Sequence, residues 1–68
     1  MASAEQIKEA WNTDPDQVAH GFSLMLRGFG YPVDDAWVKA EIERLLAGGE
    51  VKGGPSLFID GWLKEGTS

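Results

Sequence analysis

The sequence contains no cysteine and a single histidine, His20, among its 68 residues. Without cysteine there is no disulfide framework, no thiol chemistry and no cysteine-ligated zinc. One histidine alone cannot assemble an ordinary zinc or copper site. We therefore predict a protein without metal or cofactor. A helical wheel places His20 away from the apolar face of its segment, so we expect this side chain at the surface.

Basic residues are also scarce. Six lysines and arginines stand against eleven aspartates and glutamates, which gives a net charge of −5, and the six cations are spread singly along the chain. Phosphate binding normally requires several clustered cations, because each contact releases counterions. The charge therefore argues against nucleic acid as the partner.

Long hydrophobic runs are missing as well. No stretch approaches the ~20 apolar residues of a membrane span, and residues 1–6 have neither the basic nor the apolar region of a signal peptide. We expect a cytoplasmic protein that does not enter a membrane. The composition, 43% hydrophobic and 25% charged, is that of a globular chain, and its length predicts one domain over residues 1–68.

Capping signals mark the first two of four predicted helices. Ser3 and Gln6 form a capping-box pattern at the start of the first helix. The segment Asp14-Pro15-Asp16-Gln17 combines a cap-type aspartate, a proline at the first helical position and an acid near the positive helix end. Gly28 and Gly30 end this second helix, since glycine readily adopts the left-handed conformation of a helix C-terminus.

Similar signals delimit the third and fourth helices. Asp34 or Asp35 begins the third, and Gly48-Gly49 stops it. Gly54 and Pro55 begin the fourth, although Gly61 inside it costs up to ~1 kcal/mol relative to alanine. Together the signals predict an all-α domain of four short helices. The predicted helices cover residues 4–12, 15–28, 35–47 and 55–65.

Apolar residues recur with helical spacing within these segments, which predicts the face of each helix that turns inward. On the third helix, Glu41 and Arg44 lie at the margin of a face that we expect to be solvated. The predicted core consists of Ile7, Trp11, Val18, Phe22, Met25, Leu26, Phe29, Val38, Ile42, Leu45, Phe58, Ile59, Trp62 and Leu63.

A winged helix with a C-terminal β-hairpin is the alternative. In that interpretation Glu50-Val51-Lys52 and Leu57-Phe58-Ile59 are strands joined by a Gly-Gly turn, and the preceding helix is a recognition helix. The domain would then bind nucleic acid. Helix is favoured over strand because Phe58 and Ile59 recur with Trp62 and Leu63 at i, i+1, i+4 and i+5, whereas strand alternation is not met.

No pattern predicts catalysis. The acidic pairs Asp14/Asp16 and Asp34/Asp35 lie at helix starts, where negative charge interacts favourably with the helix dipole. Ser3, Ser23 and Ser56 have no base in a recognisable motif. The glycine pairs lack the spacing of a phosphate-binding loop and are explained as helix stops. We therefore expect no enzymatic activity.

Three apolar residues do not fit the apolar face of their helix: Leu24, Trp37 and Leu57. One explanation is that packing buries a helix on two sides. The other is an exposed apolar patch, which is the usual mark of a protein-binding site. On the second explanation the domain is a small acidic interaction or regulatory module, and Leu24, Trp37 and Leu57 contact another protein or a second copy of the chain.

Overall fold

A computed structural model describes residues 4–64, and this part of the chain forms four α-helices. They are α1 (Ala4–Thr13), α2 (Pro15–Gly28), α3 (Asp35–Leu46) and α4 (Pro55–Lys64). The predicted all-α fold is confirmed, and the predicted bounds agree to within one residue. The proposed cap Ser3 and the predicted end of α4 at residue 65 lie outside the described residues.

Aspartate caps begin the two central helices, as the sequence predicts. The Gln17 amide donates to the Asp14 carboxylate at 3.3 Å, and the Trp37 amide donates to the Asp34 carboxylate at 2.7 Å. Each bond satisfies a backbone donor that has no partner within the helix. Asp34 is thus the cap of α3, which leaves the neighbouring Asp35 available for other contacts.

The end of α2 is closed by a Schellman motif. Gly30 has φ +97°, its amide donates to the Arg27 carbonyl, and the Tyr31 amide donates to the Leu26 carbonyl, both at 3.0 Å. The left-handed glycine reverses the chain direction and brings Tyr31 back against the last turn of the helix. Phe29 is left as the C-terminal cap residue of α2.

The β-hairpin alternative is wrong. The residues of its second strand are helical within α4, and residues 4–64 contain no strand at all. Pro55 starts α4 at the position where a missing N–H costs nothing, and Ile59 and Leu63 one turn apart are both buried. The helical spacing of the apolar residues thus gives the correct structure, despite Gly61.

The helices pack around one core. α2 packs most extensively on α3, α1 packs on α2 and α4, and α4 also packs on α3. Side chains bridge α2 and α4 across this arrangement, where the Phe22 and Trp62 rings meet edge to face with centroids 5.1 Å apart.

Most of the predicted core is confirmed. The predicted residues Phe22, Leu26, Val38, Ile42, Ile59 and Leu63 are buried, and Ala19 joins them. Further predicted residues pack against this cluster while partly exposed: Ile7, Trp11, Val18, Leu45 and Trp62. Tyr31 and Val33 of the α2–α3 connection do the same without having been predicted.

Three predicted core residues are instead exposed: Met25 by 45%, Phe29 by 62% and Phe58 by 39%. Phe58 lies in the first turn of α4 and stacks on the exposed Phe29. For Met25 and Phe29 the reason lies in the rotation of α2. Its buried face is centred on Ala19, Ser23 and Leu26 rather than on the stripe of large residues, because the small Ala19 and Ser23 allow close contact with α3. Met25 therefore falls at the edge of the buried face, and Phe29 lies beyond the helix end.

The solvated margin predicted for α3 is also wrong in one respect. Glu41 is buried, with 6% of its surface exposed, and its carboxylate accepts a hydrogen bond from Arg44 Nε at 2.5 Å. This bond lowers the pKa of Glu41, burial opposes the shift, and the nearby Ser56 hydroxyl adds to it. A charged residue thus forms part of the α3–α4 interior because its ion pair accompanies it.

Candidate functional site

The three residues predicted to contact a partner are all exposed. Leu24 on α2 is exposed by 52%, Trp37 on α3 by 40% and Leu57 on α4 by 60%. The first of the two explanations required packing to bury these residues on a second side of their helices. Their exposure does not agree with it. They lie on three different helices, and the exposed apolar surface extends beyond them.

Four aromatic side chains form a continuous row from the surface to the core. We call Phe29, Tyr31, Phe58 and Trp62 the aromatic row. Phe29 stacks on Phe58 with centroids 5.1 Å apart, and Phe58 also meets Tyr31 at 5.8 Å and Trp62 at 6.0 Å. Trp62 in turn packs against the buried Phe22. The exposed rings are therefore held in position by the core.

The exposed end of the aromatic row adjoins further apolar side chains. Met25 lies one helical turn before Phe29, whose amide donates to the Met25 carbonyl at 3.2 Å. Leu57 precedes Phe58 on α4 and lies on the outward face of that helix together with Gly61. All four of these residues are exposed, and we call Met25, Phe29, Leu57 and Phe58 the exposed apolar face. Sequence periodicity assigns each of them except Leu57 to the core.

A second apolar feature is an open groove of about 360 Å³ between α1 and α2. Two exposed glutamines, Gln6 and Gln17, also line it. The other residues that line the groove are apolar or glycine: Ile7, Ala10, Val18, Gly21, Phe22 and Met25. Because Met25 belongs to both features and Phe22 contacts Trp62, the groove is continuous with the exposed apolar face.

The charges of the surface are predominantly negative. Four of the six cations are held in ion pairs: Arg27 with Asp35, Lys39 with Asp16, Arg44 with Glu41, and Lys64 with Asp60. Several acids in the described residues form no ion pair: Glu9, Asp14, Asp34, Glu43 and Glu50. The cations without an ion pair in this part of the chain are Lys8 and Lys52, so unpaired acids outnumber unpaired cations among the described residues.

Asp35 is the centre of a polar cluster that joins α2 to the start of α3. Its carboxylate accepts hydrogen bonds from the Ser23 hydroxyl and from His20 Nδ1, the latter at 2.8 Å, and Arg27 Nη2 lies 3.4 Å away. The Ser23 bond and then the His20 bond lower the pKa of Asp35. His20 is exposed, as its position on the helix predicts.

The cluster contains serine, histidine and aspartate, but not in a catalytic arrangement. Nucleophilic catalysis requires the serine hydroxyl to face the histidine, which in turn is oriented by the acid. Here Ser23 is fully buried and bonds to Asp35 and to the backbone carbonyl of His20 instead of the imidazole. The cluster therefore positions the two helices relative to each other.

Ligands for a metal do not converge either: residues 4–64 contain no group of three or more histidine, cysteine, aspartate or glutamate side chains arranged to hold an ion. None of the four helices is long and apolar enough to cross a membrane. No protein-family model, no curated protein and no solved structure matches the chain.

Proposed function

We propose that the domain is a non-catalytic protein-interaction or regulatory module that binds a partner through its exposed apolar face. The observation that carries the proposal is the position of Phe29, which is 62% exposed yet held against Phe58. Large contiguous apolar surface is uncommon on isolated soluble domains and is typical of binding sites. Aromatic side chains held rigidly are the residues that contribute most to protein interfaces.

Further contacts come from Leu24, Trp37 and Leu57, which the sequence predicts as partner-binding residues. Leu57 belongs to the exposed apolar face, and Leu24 is an exposed residue of α2, the helix that also carries Met25. Trp37 lies on α3 and provides a separate contact. The acidic surface around these residues keeps the domain dissolved and steers positively charged partners toward it. We place the module in the cytoplasm, a reducing compartment that the absence of cysteine mildly favours.

Nucleic acid is a weaker candidate. The second strand of the predicted wing is helical, its first strand is a loop, and the cations of α3, Lys39 and Arg44, are each paired with an acid. A titration with mixed duplex DNA at low salt should therefore give no binding.

Partner capture by the immobilised domain tests the proposal. The wild-type domain should retain a discrete protein, and Phe29→Ser and Leu57→Ser should each release it while the circular dichroism spectrum stays helical. Leu46→Ser is the matched control, because Leu46 is 38% exposed on α3 and is not part of the apolar face. Equal retention by Phe29→Ser, Leu57→Ser and the wild type would refute the proposed face.

Trp37→Ala separates the two parts of the surface. If capture falls with Trp37→Ala as well as with Phe29→Ser, the partner extends from the apolar face to α3. If Trp37→Ala retains the partner fully, the contact is confined to the α2–α4 side.

A further inference from the structure

We propose that the groove between α1 and α2 binds a positively charged amphipathic α-helix of a partner protein. This inference rests on the proposed function and specifies the class of partner. The groove is continuous with the exposed apolar face through Met25. A helix seated in the groove would therefore contact both surfaces.

The apolar lining of the groove fits the apolar side of a helix. Ile7 from α1 and Val18, Phe22 and Met25 from α2 line the space between the two helices. Side chains of a third helix pack between those of two neighbouring helices, as ridges enter grooves. In helix-in-groove binding the occupant supplies apolar side chains at i, i+3 or i+4, and i+7.

Gly21 gives a second indication that the groove is a binding site. It lies in the middle of α2, and a β-carbon added there would meet no atom within 4 Å. Glycine is one of the poorest helix formers, and the packing of the domain itself gives no reason for it at this position. The bare backbone at Gly21, with the small Ala10 in the same groove, permits close approach of another chain.

The charges beside the groove determine the sign of the partner. Glu9 adjoins Ala10 on α1, and Asp14 lies at the junction of α1 and α2, where its amide donates to the Ala10 carbonyl. The lysine of α1, Lys8, and the arginine of α2, Arg27, do not line the groove. Lys8 lines a different depression with Leu45, Leu46 and Asp60.

Arg27, the cation of α2, donates to the Val33 carbonyl at 2.9 Å and pairs with Asp35. The Asp14 carboxylate lies at the edge of the groove, where it accepts a hydrogen bond from the amide of the lining residue Gln17. Lysine or arginine residues on the polar side of an occupant would complement this carboxylate. A second copy of the chain is disfavoured as the occupant, because two molecules of net charge −5 repel each other.

Titration of the isotope-labelled 68-residue chain with two designed peptides tests the inference. Both are about 18 residues long, above the length at which isolated helices become marginal. Both carry the same leucine stripe; one has lysines on its polar side and the other has glutamates at the same positions. The lysine peptide should perturb the NMR signals of Ile7, Val18, Gly21 and Met25, and its affinity should fall as salt is raised.

Substitutions at Gly21 locate the binding. Gly21→Leu fills the groove and should weaken binding of the lysine peptide by about tenfold or more, the size expected for a central contact. Gly21→Ala adds a single methyl group and should keep most of the affinity. Ala40→Leu is the control for an added leucine on an exposed helical position of α3 and should leave the affinity unchanged.

Several results would overturn the inference. Equal binding of the glutamate peptide would refute the charge argument, and unchanged binding by Gly21→Leu would refute the groove as the site. Absence of groove perturbation by the lysine peptide would refute it as well. Groove signals that shift with protein concentration alone would identify a second copy as the occupant and also overturn it.

The capture experiment distinguishes failure of the proposed function from failure of the inference about the groove. If the partner captured by the domain is lost with Phe29→Ser but retained by Gly21→Leu, the module binds through its apolar face without the groove, and only the further inference falls. If capture is indifferent to both substitutions, the proposed function itself falls.

Discussion

Phe29 stacks on Phe58 across the ends of α2 and α4, with the ring centroids 5.1 Å apart and the ring planes inclined by 12°. Stacked aromatic pairs contribute roughly 0.5–1.5 kcal/mol beyond the area that they bury. Both rings remain substantially exposed, so the pair stabilises the domain and also presents apolar surface to solvent. The same two side chains therefore link the stability of the domain to the proposed partner binding.

A double-mutant cycle on this pair should detect the stack. Phe29→Ala and Phe58→Ala should each lower the free energy of unfolding, and their combined effect should be smaller than the sum by about 0.5–1.5 kcal/mol. Urea denaturation with a common m-value measures the three differences. A second cycle that pairs Phe29→Ala with Trp37→Ala should be additive, because no ring contact joins these residues in the described chain.

Acid should destabilise the domain through Asp35. Its pKa is lowered in the folded state, chiefly by the Ser23 hydroxyl and then by His20. The folded chain therefore binds fewer protons than the unfolded chain, so this contribution to stability is complete above the ordinary carboxyl pKa near ~3.9. As the pH falls below that value toward the lowered pKa, the contribution is lost.

The Asp35→Asn substitution provides the check. It should reduce the thermal midpoint at pH 7 and make the midpoint less dependent on pH in the acid range. Glu43→Gln is the control, since Glu43 is exposed and forms no ion pair in the described residues. A pH profile of Asp35→Asn identical in shape to that of the wild type would show that the cluster does not depend on the charge of Asp35.

The sequence allows the helices to be located with little error because their ends depend on local chemistry. Asp14 and Asp34 cap helices through their own side chains, and Gly30 closes α2 through its own backbone. These features need no knowledge of the tertiary structure. The choice of a fourth helix over a β-hairpin depended instead on the helical spacing of Phe58, Ile59, Trp62 and Leu63.

The surface could not be derived in the same way, because it depends on the rotation of each helix. The helical spacing of large apolar residues assigns Met25 and Phe29 to the buried face of α2. It does not consider the small residues Ala19 and Ser23, which are the ones buried against α3. When a helix is rotated so that its small residues face the neighbouring helix, large apolar residues on its flank become exposed. Of the proposed binding surface, the sequence therefore predicts Leu24, Trp37 and Leu57 as residues outside the apolar faces but misses Phe29 and the groove.

The two buried serines should respond oppositely to replacement by alanine. Ser23 is fully buried and bonds to the Asp35 carboxylate, whereas Ser56 is 2% exposed and its hydroxyl forms no hydrogen bond of good geometry. Ser23→Ala should lower the free energy of unfolding by about 1–2 kcal/mol. Ser56→Ala should be close to neutral, because it removes a buried polar group whose hydrogen bond is not made.

The pKa of Glu41 provides an independent test of whether the Ser56 hydroxyl interacts with its carboxylate. The Ser56 hydroxyl is near enough to lower the pKa of Glu41, after the larger effect of Arg44. Ser56→Ala should therefore raise the pKa of Glu41 slightly, as measured by NMR titration of its side-chain carbon. A loss of stability as large as that of Ser23→Ala would show that the Ser56 hydroxyl has a partner in solution.

Gly49 should be the least replaceable glycine of the loop before α4. The Gly49 amide donates to the Arg44 carbonyl at 2.8 Å, and a β-carbon at Gly49 would lie 2.7 Å from that oxygen and 2.8 Å from Arg44 Cγ. Because the backbone oxygen cannot move aside without disturbing the end of α3, Gly49→Ala should destabilise the domain by about 1–3 kcal/mol. The displaced Arg44 should also release the Glu50 carbonyl to which it donates.

Gly53→Ala is the matched control in the same loop. An added β-carbon at Gly53 meets no atom within 4 Å, and its φ is not positive. Its effect should lie between no change and a gain of about 1 kcal/mol, since alanine restricts the unfolded chain more than glycine does. Urea denaturation of both variants measures the contrast. Equal stability of Gly49→Ala and Gly53→Ala would mean that Arg44 does not fold back onto Gly49 in solution.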